Sequence, residues 1–512
     1  MLLFCLLVAF LSGCAVNPVT GKKELTLISE SSEIALGAQN YGPTRQSQGG
    51  EYILDPQLTA YVSGVGQRIA RISDRPDLPY EFTVLNNSTP NAWALPGGKI
   101  AINRGMLTEM NSEAELAAVL AHEVVHAAAR HSAKSVERGM LLQVGLIGVG
   151  IAASNSQYAD ILVGVGQLGL QLISTTYRRN AELESDYYGM NYRARAGYDP
   201  KAAVTLQETF LRLSQGRQSD WLSGLFASHP PSRERVNANL ETLATLPQSG
   251  TVGADTYQRM IAGIKRTEPA YKAHQEARKA LSEKNPAEAL RLADQAIRIE
   301  PREALFYGVK GDAKTMQEDY EGALRYYDEA VRRNSQFFQF VLQRGLVRDK
   351  LGDYGGARAD LEQSLTLFPT AHAHYALGNI GLRSGDKHAA LEHYRLAASS
   401  SSEVGKAAAV SLARLELPDN PGAYIAVKRS LDQNGYLVVS IKNQSPVPVR
   451  NIAVAIGIFN ERGGLADERT AYFRRTVAPG QVSSVSTRIG PFADTAQLRY
   501  IRLKVVGAAV AE

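Results

Sequence analysis

Cysteine is nearly absent. Cys5 and Cys14 are the only two in 512 residues, and Cys5 lies in an apolar N-terminal segment expected to be removed. The mature chain would keep one cysteine, so disulfides, thiolate zinc fingers and cysteine-nucleophile chemistry are excluded together. Charge of one sign is also scarce. A net charge of +5 over this length points neither to nucleic acid nor to a strong preference for anionic surfaces. Long apolar runs are missing as well. The runs 2–11, 140–153 and 161–173 each fall short of the roughly 20 residues that a spanning helix needs. The last two, separated by the polar stretch 154–160, are expected to form a helical hairpin buried under the functional site.

The first run reads as the core of a signal peptide rather than an anchor helix. It ends in Leu11-Ser12-Gly13-Cys14, which looks like a bacterial lipobox, although no Lys or Arg precedes the run. Cleavage after residue 13 would leave Cys14 as a lipid-bearing first residue, and several acyl chains on one cysteine give stable attachment. Ala15, rather than aspartate, at the next position favours the outer membrane under the usual bacterial sorting rule. The expected location is the periplasmic face of that membrane.

What is present is His122-Glu123-Val124-Val125-His126. On a helix, residues four apart lie about 40° apart around the axis, so both imidazoles project from one face. Two neutral histidines so placed supply half of a tetrahedral zinc site. Glu123, one step round, can take a proton from a water activated there. Ser112-Glu113-Ala114-Glu115 reads as a capping box, with Ser112 as N-cap and Glu115 reaching back. Leu116, Val119, Leu120 and Val124 follow at helical spacing, so one side of this helix is expected to be buried. His131, five residues past His126, would point about 140° away from it. It reads as a surface or supporting histidine rather than a ligand.

A catalytic zinc needs a third protein ligand. Glu182 and Asp186, again four apart, could present two carboxylates from a second helix. One would bind metal, and the other would accept a ring N–H from a ligating histidine and fix its tautomer. Glu184, rotated about 200° from Glu182, is expected to face solvent.

Taken together, these motifs resemble the HtpX/BepA-type zinc metalloprotease family. They comprise His122–His126, then Arg179-x-x-Glu182-x-x-Ser185-Asp186, then Ser228-His229-Pro230-Pro231-Ser232-Arg233-Glu234-Arg235-Val236. Asn91-Ala92-Trp93-Ala94-Leu95-Pro96-Gly97-Gly98-Lys99-Ile100 is similar to that family's segment ahead of the zinc helix, and Asn17-Pro18-Val19-Thr20-Gly21-Lys22 to the start of its periplasmic lipoproteins. Ser185 departs from the usual alanine. The resemblance implies His122, His126 and Glu182 as zinc ligands, Glu123 as general base and Asp186 as a supporting residue. It places His229 and Arg235 near the active site, one of them steadying an oxyanion, or His229 occupying the fourth zinc position as a latch. Residues 99–102 read as a short strand, and in such enzymes an edge strand beside the zinc pairs with an extended substrate.

Downstream, Ala289, Ala323, Ala357 and Ala390 recur at intervals of 34, 34 and 33, with Gly311, Gly345 and Gly378 in step. Pro301 and Pro369, with Ser335 between them, keep the same period. Small residues at fixed offsets let paired helices approach closely, and the pattern resembles about four tetratricopeptide repeats. Tyr307, Tyr326, Tyr327 and Phe340 are candidate liners of a concave protein-binding face, each more readily explained as core packing. After residue 422 the period changes to two, with turns at Asn434-Gly435 and Gly463-Gly464, which suggests a small β-sandwich.

The expected fold is multidomain. A signal peptide spans 1–13 and a mainly α zinc metalloprotease domain with a small β-sheet spans 14–245. An α-solenoid of tetratricopeptide repeats follows over 268–416, then a β-sandwich over 422–512. The expected function is zinc-dependent endoproteolysis of misfolded or stalled envelope proteins, with the repeats docking a protein partner and the lipid holding the membrane. The alternatives are a periplasmic chaperone or adaptor with a latched or structural metal site, and a CAAX-type prenyl endopeptidase, which the lack of spanning helices disfavours.

Overall fold

A computed structural model describes residues 14–145, 173, 177–215, 228–247 and 249–511. The chain divides into two compact units, Met1–Pro369 and Thr370–Glu512. The expected signal segment and most of the expected apolar hairpin lie outside the described residues. No helix among the described residues is long and apolar enough to cross a membrane.

The first unit opens with a short hairpin, β1 (Cys14–Val16) and β2 (Lys23–Leu25), followed by helices α1 (Glu30–Ser47) and α2 (Pro56–Ala70). Strands β3 (Glu81–Leu85), β4 (Ala92–Leu95) and β5 (Lys99–Asn103) then form one sheet of order β3-β5-β4. Here the expectation of an edge strand at 99–102 is corrected, because β5 is central. Gly97 and Gly98 adopt φ of 73° and 82°, a left-handed turn open to glycine, and this folds β4 antiparallel onto one side of β5. β3 lies parallel on the other side. With both neighbours in place and both faces covered, every residue of β5 is buried.

Next come α3 (Arg104–Thr108), α4 (Glu113–Ala128) and α5 (His131–Gly145). The cap of α4 forms at Ser112, whose Oγ accepts the Glu115 amide at 3.2 Å. Glu115 reaches one residue further back than a capping box predicts and accepts the Asn111 amide at 2.6 Å. Leu116, Val119, Leu120 and Val124 are buried, as their spacing predicts. The α4 helix ends where Arg130 turns left-handed at φ 61°. That conformation is unfavourable for a residue with a Cβ, and the fully buried Glu33 accepts Arg130 Nε at 2.8 Å and so holds it. Helices α6 (Arg179–Arg195), α7 (Lys201–Gln215) and α8 (Arg233–Leu243) complete the helical layer.

A 29-residue helix, α9 (Ala254–Ser282), then runs through Pro269 and across residue 268 without a break. Its first half packs Tyr257, Ile261 and Ile264 into the core shared by α2, α4 and the sheet. Its second half packs Ala277 and Ala280 against α10 (Pro286–Ile299). The unit closes with α11 (Ala304–Met316), α12 (Tyr320–Arg333), α13 (Phe338–Lys350) and α14 (Tyr354–Leu367). The repeating glycines do what their period predicts. A Cβ on Gly311 would meet the Tyr327 ring at 2.5 Å, so each such glycine is the seat for a side chain of the following helix. Tyr327 and Phe340 are core residues, while Tyr307 and Tyr326 are half-buried beneath Arg333 and Lys310.

The second unit continues the helical pairs with α15 (Ala371–Arg383), α16 (Lys387–Ala398) and a last helix, α17 (Glu403–Glu416). Six strands follow, β6 (Ile425–Leu431) to β11 (Ile501–Val510), in two antiparallel three-stranded sheets of order β10-β7-β6 and β11-β8-β9. Leu437, Val439 and Ile441 of one sheet share a buried cluster with Ile452, Val454 and Ile456 of the other, capped by Ala413 and Leu417. The C-terminal strands thus form two small sheets with a common core.

Candidate metal centre

Helix α4 presents His122, Glu123 and His126 toward α6, which carries Glu182 and Asp186 one turn apart. The two helices touch at Gly189, where a Cβ would come within 3.2 Å of the His122 amide nitrogen and 3.3 Å of the Ala121 carbonyl carbon. A bare α-carbon there lets the second helix lie close enough for its carboxylates to reach the histidines. His229, from the segment leading into α8, enters the same space.

The distances describe four donors facing one point. His122 Nε2 lies 3.0 Å from His126 Nε2 and 3.3 Å from His229 Nδ1. Glu182 Oε1 lies 3.3 Å from His126 Nε2 and 3.1 Å from His229 Nδ1, and Glu182 Oε2 is 3.5 Å from His122 Nε2. One atom from each residue fits within a 4.8 Å span, and all four residues are buried. A tetrahedral zinc about 2.0–2.1 Å from nitrogen and oxygen donors separates them by about 3.3 Å. The donor set therefore suits zinc in both chemistry and spacing.

Neighbours fix the rings. His122 Nδ1 pairs with Asp186 Oδ1 at 2.9 Å. Asp186 in turn accepts Arg235 Nε at 2.7 Å and Nη2 at 2.8 Å, while Arg235 Nη1 lies 2.7 Å from Glu182 Oε2. His126 Nδ1 lies 2.9 Å from His131 Nδ1, and His131 Nε2 lies 3.2 Å from Glu184 Oε1. With the Nδ1 protons of His122 and His126 directed outward, both Nε2 lone pairs face inward. Two lone pairs beside a carboxylate need a cation or protons between them.

Burial dominates the electrostatics. It pushes His126 well below the usual imidazole range and raises the Glu123 carboxyl. Burial also opposes ionisation of Glu182, but His229 and His122 outweigh it and hold that carboxyl well below its ordinary value. Asp186 is likewise lowered against its burial by Arg235. Glu123 Oε2 and His229 Nε2 are buried without a hydrogen-bond partner among the described residues, and Glu123 Oε1 lies 3.6 Å from His229 Nε2.

The surroundings of the donors differ from the sequence expectation at Glu184, agree with the supporting rather than the surface alternative for His131, and add Tyr177. His131 is buried rather than superficial, because the left-handed Arg130 ends α4 and starts a new helix, so a single helical wheel does not apply between His126 and His131. Glu184 faces His131 rather than solvent, its side chain 21% exposed. Tyr177, which the sequence did not single out, stacks on the His126 ring with centroids 3.9 Å apart and shares a 2.8 Å hydrogen bond with Ser132. No periodic signal marks that tyrosine, since it precedes α6 in a non-helical segment.

The profile of peptidase family M48 matches residues 56–243, and that of the tetratricopeptide repeat matches 274–336 and 342–403. The mitochondrial metalloendopeptidase OMA1 of Schizosaccharomyces pombe is 33% identical over 223 residues, 43% of this chain and 63% of that protein. The beta-barrel assembly-enhancing protease of Escherichia coli (strain K12) is 28% identical over 234 residues, 44% of this chain and 47% of that protein. The metalloprotease LoiP of the same strain is 31% identical over 164 residues, 31% of this chain and 60% of that protein. The chain thus matches less than two thirds of the length of each. His122, Glu123, His126, Glu182, Asp186, His229 and Arg235 all fall within the matched segment. Residues 56–243 thus match peptidase family M48, and tetratricopeptide repeats follow them in this chain.

Proposed function

We propose that this chain is a zinc-dependent endopeptidase of the bacterial envelope. The observation that carries the reading is the convergence of four buried donors beside Glu123, whose Oε2 has no hydrogen-bond partner among the described residues. His122, His126 and Glu182 are the proposed zinc ligands. Zinc, when bound, supplies Lewis acidity that lowers the pKa of water to about 7 and polarises a carbonyl. Glu123 takes the proton from the attacking water and returns it to the leaving amine. Its burial favours that role, because a raised carboxyl pKa lies nearer neutrality. Asp186 and Arg235 keep His122 and Glu182 oriented. A substrate backbone would add along β4, since β5 already has two partners.

His229 decides how the site is controlled. Its Nδ1 occupies the fourth donor position, which favours a latch over an oxyanion donor. The same placement supports a second reading, a chaperone or adaptor whose metal centre stays closed. Cleavage of an unfolded β-rich protein, lost in chelator and regained with zinc, separates the two. Glu123→Gln should keep its metal and lose about a hundredfold or more in turnover, and full cleavage by that variant would refute the assignment of the base. His229→Ala should cleave faster if the latch reading holds and slower if His229 steadies the oxyanion.

The names of the bacterial relatives and the Leu11–Cys14 motif support a place at the periplasmic face of the outer membrane, held by lipid on Cys14. Misfolded or stalled outer-membrane proteins are the proposed substrates, and the repeats dock a protein partner. The two C-terminal sheets are read as the halves of a small β-sandwich, an orienting or interaction module.

A further inference from the structure

Beside the metal centre lies a cavity of about 590 Å³, open mouth included, lined by His122, Glu123 and His229 at one end and by Arg193 and Gln207 elsewhere. Its remaining wall is largely apolar, with Val119, Met190, Leu206 and Phe210. Arg193 is the anomaly. It is 0% exposed, its Nη2 donates to the Pro200 carbonyl at 2.6 Å, and its Nε and Nη1 have no partner among the described residues. No carboxylate among the described residues pairs with it. Burial pulls the Arg193 guanidinium down to about 10, against the weaker upward pull of Asp199 and Asp186, neither of which reaches it as an ion pair.

A buried charge lacking a partner destabilises the fold that contains it, and polar groups left unpaired next to a reaction centre mark places where a ligand completes the set. We propose that Arg193 is a carboxylate-binding subsite that selects peptides carrying an acidic group close to the scissile bond. This rests on the endopeptidase reading of the adjacent centre. The unpartnered Nε and Nη1 lie on opposite edges of the guanidinium, so a carboxylate would take one charge-assisted hydrogen bond from either of them rather than a bidentate pair. Arg193 follows Asp186 by seven residues on α6, about 10 Å along the axis, and helical side chains lean toward the N-terminus, here toward the metal centre. An extended peptide covers about 3.3–3.6 Å per residue, so the acidic group belongs within about two positions of the bond cut. It is either an Asp or Glu side chain or the free carboxylate of a chain end.

The test uses the full chain loaded with zinc and a series of quenched fluorescent peptides. Each carries Glu or Gln at one of the two positions on either side of the cleaved bond, and a parallel set ends in a free carboxylate or an amide. At one position the wild-type protein should prefer the acidic peptide by about 100-fold in kcat/KM. Arg193→Met should collapse that ratio to near one, and Arg193→Lys should keep most of it. If the acidic group is a side chain, amidation of the peptide end changes nothing; if it is a chain end, amidation abolishes the preference. Binding of the same peptides to Glu123→Gln protein, read by fluorescence anisotropy, gives the ratio without turnover. If nothing is cleaved, the endopeptidase reading falls, and the binding ratio still decides the subsite. Arg193→Met should leave the ligand-free Tm unchanged or raise it. Equal handling of acidic and neutral peptides by the wild type overturns the proposal, as does an Arg193→Met variant that melts earlier yet keeps the ratio.

Discussion

His126 is the least exposed of the histidines in the metal cluster, and what holds it is not on its own helix. Its Nδ1 meets His131 Nδ1, which can accept only if His131 carries its proton on Nε2, toward Glu184. That chain commits the His126 proton outward and leaves its Nε2 lone pair facing the metal position. His131→Ala should therefore weaken zinc binding by roughly 10- to 100-fold, measured by competition with a chromophoric chelator. His131→Asn, whose side-chain oxygen can stand where Nδ1 stood, should recover much of the loss. An alanine variant with unchanged zinc affinity would show that packing by Tyr177 alone orients the ring. The His122–His126 pair was legible because both residues lie within one uninterrupted helix. The supporting histidine was legible only as a position, since the turn at Arg130 depends on Glu33, 97 residues earlier, a contact no local spacing encodes.

At the scale of elements, short-range periodicities were read faithfully and long-range pairings were not. The burial pattern of α4 and the alanine–glycine period of the repeats follow from side-chain volume within one or two neighbouring helices. The place of β5 in its sheet depends on its parallel pairing with β3, 18 residues earlier in register, so 99–102 could be recognised as a strand but not as the central one. The repeats also carry a pH-sensitive device. His274 on α9 is buried against Phe306, and burial, with Arg278 and Arg104 nearby, lowers it to about 3. The folded value lies below the unfolded one, so stability is flat above about pH 6.5 and falls as the unfolded chain alone takes up the proton between there and about pH 3. This one residue should cost about 2 kcal/mol by pH 5. Chemical denaturation of His274→Gln at pH 7.5 and pH 5 should show a pH loss smaller by about that amount; an identical loss in both proteins would place the acid sensitivity elsewhere.

Within the first unit, the protease segment and the first repeats are one mechanical body because they share a helix and a buried polar knot. The α9 helix enters the protease core at Tyr257, whose hydroxyl donates to the Leu107 carbonyl at 2.7 Å, and leaves it as the first helix of the repeats. Near its middle, Tyr271 donates to Glu303 Oε2 at 2.5 Å, and Asn86, just after β3, donates to the same oxygen at 3.0 Å. Arg104, just after β5, lies 3.4 Å over the Tyr271 ring. The knot therefore ties two strands of the sheet beside the metal centre to the repeat helix that begins at residue 304. Such coupling predicts a single calorimetric transition for the protease segment and the repeats up to residue 369. Tyr271→Ala removes the ring beneath Arg104 and one of Glu303's donors, a loss of about 3–5 kcal/mol for a large buried aromatic. The transition should then move to lower temperature and separate in two, with the metal-centre segment alone shifted upward by added zinc. One transition that keeps its shape, merely at a lower temperature, would mean that the shared helix by itself suffices to couple them.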